Sequence, residues 1–482
     1  MIALQPIFFT IGFFLTALAG MMIIPTVTDW VQGDYNWRPF AISALMTGFI
    51  GLLMTFSNRP SGPTTLTIRE TFILTASTWL VVSLFAAIPF ILTNTTGSNT
   101  DSFFEAISGL TTTGSTVIKG LDFTSHGILL WRALLQWFGG IGIIVMAFTV
   151  MPLLKIGGMQ LFRSEFSDRS EKVMPRVSQI ASAIVLTYLF LTMLCIGLLY
   201  AAGMTFLEAV CHGFSTLSTG GFSTSDASVA YFNSPLIEWI IIVFMFIGAT
   251  TFVLFVKMIQ GRPQAIWQDN QARLFIKVLI GCVTVMTLWR ISKDIPASQA
   301  LRESAFNILS IITTTGFTTA DFTFWGTFPT MFFFILMMVG GCTGSTSGSI
   351  KILRYQIMFA VAKSHIYQIR RPHRIFPPTY ENKPIPDAVS ISVFTFFALY
   401  VASFGLLIMG LGLYDLDFST TLSAAATALN NVGPGLGSTI GPSGTFTSLP
   451  DGAKWMLMAA MLLGRLEYIT FLILFVPSFW RD

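Results

Sequence analysis

The chain has 482 residues, of which 53% are apolar and 10% charged, with a formal net charge of +4 and a mean hydropathy of +0.72. That balance lies outside the range of soluble globular domains, and membrane topology uses up the small basic excess, so no nucleic-acid partner is needed to explain it. The four cysteines, Cys195, Cys211, Cys282 and Cys342, lie in or beside apolar segments without Cys-x-x-Cys spacing, so neither a disulfide framework nor a metal site is expected.

In chain order, apolar stretches long enough to cross a bilayer run over roughly 7–26, 38–57, 71–93, 129–154, 178–202, 235–260, 272–292, 328–350, 388–413 and 453–478. At about 20 residues per crossing these are ten spans. The first begins almost at the N-terminus with neither a basic n-region nor a small-residue cleavage site, so it is read as a retained helix. Basic residues gather in alternate connections: Arg59 and Arg69; Lys155, Arg163, Arg169, Lys172 and Arg176; Lys257, Arg262, Arg273 and Lys277; Lys351, Arg354, Lys363, Arg370, Arg371, Arg374 and Lys383; and Arg481. The positive-inside rule places these segments and both termini in the cytoplasm.

Four Gly-centred stretches fall on the other side, each between two apolar runs: Thr111-Thr112-Thr113-Gly114, Ser218-Thr219-Gly220-Gly221, Thr313-Thr314-Thr315-Gly316 and Asn430-Asn431-Val432-Gly433. A cation crossing a bilayer exchanges its water shell for protein oxygens, and glycine in a hydroxyl-rich loop brings backbone carbonyls close to it. Thirteen residues before each glycine stand Asp101, Glu208, Glu303 and Thr420, followed by a short amphipathic stretch that is too short to span. Such a half-helix would carry a carboxylate at its positive end and aim its negative end at the membrane interior. Ordinary helix caps and turns are the alternative for any one loop, and the shared register argues against it for all four.

Two further features stand out. Gly340-Gly341-Cys342-Thr343-Gly344-Ser345-Thr346-Ser347-Gly348-Ser349 lies within the eighth apolar run. Either it unwinds against a cavity, or its G-x-x-x-G-x-x-x-G spacing forms a helix-packing face; the residues alone leave both open. Arg465 lies near the middle of the last run, about 18 Å of helix from either end, where a charge is functional or belongs to a buried ion pair. Glu467 is not an obvious partner, because i,i+2 residues diverge on a helix.

No enzyme signature survives. Gly433–Ser438 misses the last glycine of a dinucleotide fingerprint, and Gly344–Lys351 lacks the Gly-Lys pair of a phosphate loop. The histidines His126, His212, His365 and His373 are scattered.

The motifs Leu110–Gly114, Gln136-Trp137-Phe138-Gly139-Gly140, Gly220–Thr224, Thr314–Thr319, Gly340-Gly341-Cys342, Asn430–Gly437 and Gly464-Arg465-Leu466-Glu467 together resemble the Trk/Ktr/HKT superfamily of potassium transporters, most closely its TrkH branch, over nearly the whole chain. The resemblance implies an all-α polytopic membrane protein, with a two-helix segment over 1–70 and four helix–pore-loop–helix repeats over 71–176, 177–271, 272–383 and 384–482. It implies a selectivity filter of Thr111, Thr112, Thr113, Gly114, Thr219, Gly220, Gly221, Thr314, Thr315, Gly316, Asn430, Asn431, Val432 and Gly433. Potassium would be held through Thr112, Thr113, Gly220, Gly221, Thr315, Gly316, Asn431 and Val432. Residues 340–349 would be an intramembrane loop below the filter, and Arg465 a charged barrier against it. The implied setting is a homodimer in the bacterial inner membrane, in contact with lipid and docked on a cytosolic TrkA-like nucleotide-binding ring. No organic cofactor is implied for this chain. A symporter coupling potassium to protons or sodium is the alternative; four repeats of one orientation, and no mid-span carboxylate other than Glu467, favour the channel-like reading.

Overall fold

The computed structural model describes residues 3–60, 66–149, 173–374 and 376–481. Lys155, Arg163, Arg169, Lys172 and the side chain of Arg176 lie outside them.

Helices α1 (Leu4–Gln32) and α2 (Trp37–Ser57) form a hairpin joined by a short turn. They approach through Gly12 and Gly51, where an added Cβ would meet backbone nitrogen of the other helix at 2.7 Å. Small residues allow this contact, since lipid tails compete with any apolar side chain.

Around this hairpin the chain repeats one theme. Long helices are α3 with α4 (Ile68–Ala86, Ile88–Thr93), α6 (His126–Thr149), α7 (Val173–Ala201), α11 (Asn270–Ile291) and α15 (Asp387–Gly412). Between them lie four shorter, largely buried helices: α5 (Asn99–Leu110), α8 (Phe206–Leu217), α12 (Ala297–Ile312) and α16 (Phe418–Asn430). Local sequence sets where three of these start: Ser98 caps Asp101, Thr205 and Glu208 form a capping box, and Asp417 caps Thr420. The residues thirteen before the glycines in those three helices are therefore the third helical position, which explains much of the register.

Seven helices among the described residues are long and apolar enough to cross a membrane, or nine if two bent pairs each count once. The pairs are α9 (Pro235–Gly248) with α10 (Phe252–Ile259), bent by 99°, and α17 (Asp451–Arg465) with the stretch from Tyr468, which opens as α18 (Tyr468–Leu472), bent by 117°. The eighth expected span, 328–350, is not a continuous helix. Helix α13 (Thr327–Leu336) has only 10 residues, and the chain is irregular from there to α14 (Ile352–Arg370). Hydropathy cannot distinguish a helix from a buried irregular segment of the same composition. A two-strand hairpin, β1 (Thr379–Tyr380) with β2 (Lys383–Pro384), follows α14.

Candidate ion-translocation site

All four short helices end in the same way. The amide of Thr113 bonds back to Ser108 and that of Thr112 to Gly109, and the same pair of bonds recurs at Gly220 and Thr219, at Thr315 and Thr314, and at Val432 and Asn431. This is the Schellman arrangement, which needs one residue in the left-handed region. That residue is Thr112 (φ 52), Thr219 (φ 52), Thr314 (φ 61) or Asn431 (φ 52). Three are β-branched, for which such a backbone costs roughly 1–3 kcal/mol each and is tolerated where function demands it.

Beyond the turns the loops close into a ring. A Cβ on Gly114 would run into the Gly220 carbonyl, one on Gly221 into the Thr315 carbonyl, one on Gly316 would lie 2.9 Å from Gly433 nitrogen, and one on Gly433 would lie 3.2 Å from the Gly114 carbonyl carbon. Cross-links reinforce the closure: Ser115 Oγ donates to the Gly433 carbonyl at 2.9 Å and Asn431 Nδ2 to Thr113 Oγ1 at 3.0 Å. Thr111 and Thr313 turn their hydroxyls back onto their own helices, and each also contacts the hydroxyl two residues on at 2.8 Å. The backbone carbonyls of Thr112, Thr113, Thr219, Thr314, Thr315, Asn431 and Val432 accept no hydrogen bond among the described residues, although every one of these residues is fully buried. A buried row of free carbonyls is costly unless a cation or water completes it.

On one side of the ring lies a cavity of about 510 Å³, touched by Gly114, Gly221, Gly316 and Gly433 and rimmed by the exposed Lys119 and Asp226. On the helix-end side a cavity of about 40 Å³ remains. The difference is the stretch 340–349, packed against the loops. Gly348 N donates to Thr314 Oγ1 at 2.7 Å, Thr219 Oγ1 to Thr346 Oγ1 at 3.2 Å, and Ser349 Oγ to Asn430 Oδ1 at 3.1 Å. The stretch is unwound, so the packing-face reading of Gly340, Gly344 and Gly348 fails. Its backbone is satisfied by the break between α9 and α10: Cys342 N bonds to Ala249 O, Thr346 N to Gly248 O, and Thr251 Oγ1 to Thr343 O. Two irregular segments within apolar, span-length runs complete one another, the condition under which such backbone survives in a membrane.

Arg465 is the last residue of α17, at the bend and not in mid-helix as the sequence suggests. It is 3% exposed, and Nη1 donates to the Thr346 carbonyl at 2.9 Å. Glu467, at φ 67, pairs with Arg354 of α14, whose guanidinium stacks 3.7 Å over Phe396.

Several residues were given no individual role from sequence. Gln136 brackets one loop, donating to Gly220 O at 2.6 Å and accepting from Phe222 N at 3.0 Å. His212 contacts Ser223 Oγ at 3.0 Å. Glu105 and Arg132, both fully buried, pair at 2.7 Å. Glu105 also accepts from Val117 N, while Arg132 donates to Ser223 O, so the pair ties the first loop to the second. The rule that marks Arg465, a charge inside an apolar segment, would have found Arg132 too. Two carboxylates of the thirteen-residue register are neutralised locally, Asp101 by Lys454 at 2.6 Å and Glu303 by Arg290. Glu105→Ala leaves Arg132 buried and unpaired, so a loss of about 3–5 kcal/mol is expected, read as a lowered unfolding midpoint in detergent. Changing both residues to Met should recover most of it.

A membrane-spanning helical chain that closes four loops into a ring of free carbonyls is a transport protein, not an enzyme. Residues 40–481 match the sequence model of the family described as TrkH, cation transport protein, and the chain belongs to that family. It is 40% identical over 469 residues to the Trk system potassium uptake protein TrkI of Halomonas elongata, covering 96% of this chain and 94% of the relative. It is 36% identical over 478 residues to the Trk system potassium uptake protein TrkH of Escherichia coli (strain K12), covering 98% of each. The crystal structure of the potassium transporter TrkH from Vibrio parahaemolyticus superposes with a TM-score of 0.92 at 34% identity, over 100% of both chains.

Proposed function

We propose that this chain takes up potassium across the cytoplasmic membrane through a gated, channel-like pore, with both termini in the cytoplasm and repeats over 71–176, 177–271, 272–383 and 384–482. The observation that carries this reading is the closed ring of buried loops in which the carbonyls of Thr112, Thr113, Thr219, Thr314, Thr315, Asn431 and Val432 have no donor among the described residues. The names of the relatives support potassium as the ion. Stretch 340–349 closes the pore on its cytoplasmic side, and Arg465 adds a positive charge at that point. The decisive measurement is ion flux into liposomes. Potassium entry exceeding sodium entry, with single-channel conductance above carrier turnover, supports the pore; fixed-stoichiometry coupling to protons or sodium would replace it with symport.

Control is assigned to a second copy of the chain and a cytosolic TrkA-like nucleotide-binding ring. Arg370 and Arg371 are exposed at the end of α14, beside the β1–β2 hairpin, and offer charge to such a ring. Reversing both to Glu should weaken co-purification with the ring and leave the folded subunit intact. Unaltered co-purification would move the docking surface elsewhere.

A further inference from the structure

The small cavity beneath the ring is lined by an unbalanced set of charges. Lys351, Arg354 and Arg465 face it, against the single carboxylate of Glu467. Glu467 is already engaged by Arg354, and the Lys351 ammonium folds back onto the Ser347 carbonyl. Arg465 and Arg354 are each 3% exposed. Even so, Nε and Nη2 of Arg465, Nε of Arg354 and the hydroxyl of Tyr468 have no hydrogen-bond partner among the described residues. The guanidinium nitrogens can only donate, and arginine keeps its charge when buried. A potassium ion brings no acceptor and is repelled. A water molecule accepts at two lone pairs, whereas a monatomic anion accepts from every direction and cancels charge as well. A volume of about 40 Å³ has room for one such ion or for about three waters, at roughly 10–15 Å³ per water on the same measure, and the excess of positive charge favours the ion.

We infer that this cavity is a binding site for a small monovalent inorganic anion of chloride size, held by Arg465, Arg354 and Tyr468, and that the bound anion stabilises the closed arrangement. The second clause rests on the reading of stretch 340–349 as the closure; the first does not. Arg465 also holds the Thr346 carbonyl, so an anion that fixes its guanidinium fixes the stretch too. Opening separates the donors and releases the ion.

Bromide, an anomalous scatterer of similar size, is the direct probe. Crystals of the full chain grown in bromide should show one anomalous peak in the cavity, and Arg465→Gln should abolish it. If that variant does not fold, Tyr468→Phe removes a single donor and should weaken the peak. In liposomes, basal potassium flux in chloride should be lower than in gluconate by about fivefold or more, as expected for an anion well above its dissociation constant for the closed form. Absence of the peak, with only water density in its place, overturns the site. A peak with equal flux in both salts keeps the site and overturns the lock. Loss of all potassium flux in every salt would count against the transport reading itself, while the bromide peak would still decide the site.

Discussion

Replacing Arg465 with Ala is expected to raise potassium flux in the absence of any cytosolic partner by about two orders of magnitude. In gluconate, which leaves the anion site empty, a unit positive charge about 4–6 Å from the ion path opposes passage by roughly 3–4 kcal/mol at an effective dielectric of ~20, and that barrier disappears with the guanidinium. The steric part is separate. The Thr346 hydroxyl shares its one proton between the carbonyls of Leu217 and Gly248, at 3.0 and 2.9 Å, holding the Gly-rich stretch to the end of α8 and to the break after α9. Thr346→Val keeps the shape and removes this shared bond together with the one from Thr219, and it should raise flux about tenfold by costing the closed form about 1–2 kcal/mol. Deleting Thr343–Ser347 should do more. Because Arg465 also bonds to the Thr346 carbonyl, combining Arg465→Ala with the deletion should give less than the product of the separate effects. If Arg465→Ala inserts, folds and conducts no faster than the parent in a liposome assay, the barrier lies elsewhere.

The parts of this arrangement legible in sequence are those that composition and spacing encode. Hydropathy marks the long helices, and glycine marks the four loops, because Gly114, Gly221 and Gly316 take positive φ and leave no room for a Cβ. The turn before each glycine is hidden for the opposite reason. Nothing in Thr112, Thr219 or Thr314 advertises a left-handed backbone that β-branched residues avoid. Local consistency fails where the site is built, as it does at strained functional positions generally. The partner of Glu467 was likewise out of reach, since Arg354 lies 113 residues away and Glu467 stands at the bend after Arg465. The break after α9 was hidden for a similar reason. Gly248–Thr251 and 342–346 give up helical bonds and exchange three of them, Cys342 N to Ala249 O, Thr346 N to Gly248 O and Phe252 N to Gly344 O, a trade that no single window of sequence displays. The acidic register marks helix starts as expected at Asp101 and Glu208, which lie in the first turns of their helices, but not at Glu303; Glu208 completes a cap, and Asp101 and Glu303 answer nearby cations.

Gly114→Ser is expected to lower the potassium-to-sodium permeability ratio about tenfold while leaving the protein folded. At φ 86 the new residue takes on left-handed strain, and its Cβ meets the Gly220 carbonyl. That carbonyl cannot retreat freely, because Gln136 holds it at 2.6 Å and also binds the amide of Phe222. The first two loops must therefore move apart or twist, and the added hydroxyl introduces a ligand on one side of a ring otherwise made of backbone. Each distortion costs on the order of 1–3 kcal/mol, enough to shift the balance between two cations that differ mainly in size and hydration. Gly120→Ser is the matched control. It lies on the same connection with φ 73, yet nothing stands within 4 Å of its Cβ, so it carries the strain without the collision. Its permeability ratio should equal that of the parent. An unchanged ratio in folded Gly114→Ser would take Gly114 out of the ion path, and a fall in both variants would show that strain in the connection, and not the ring, sets selectivity.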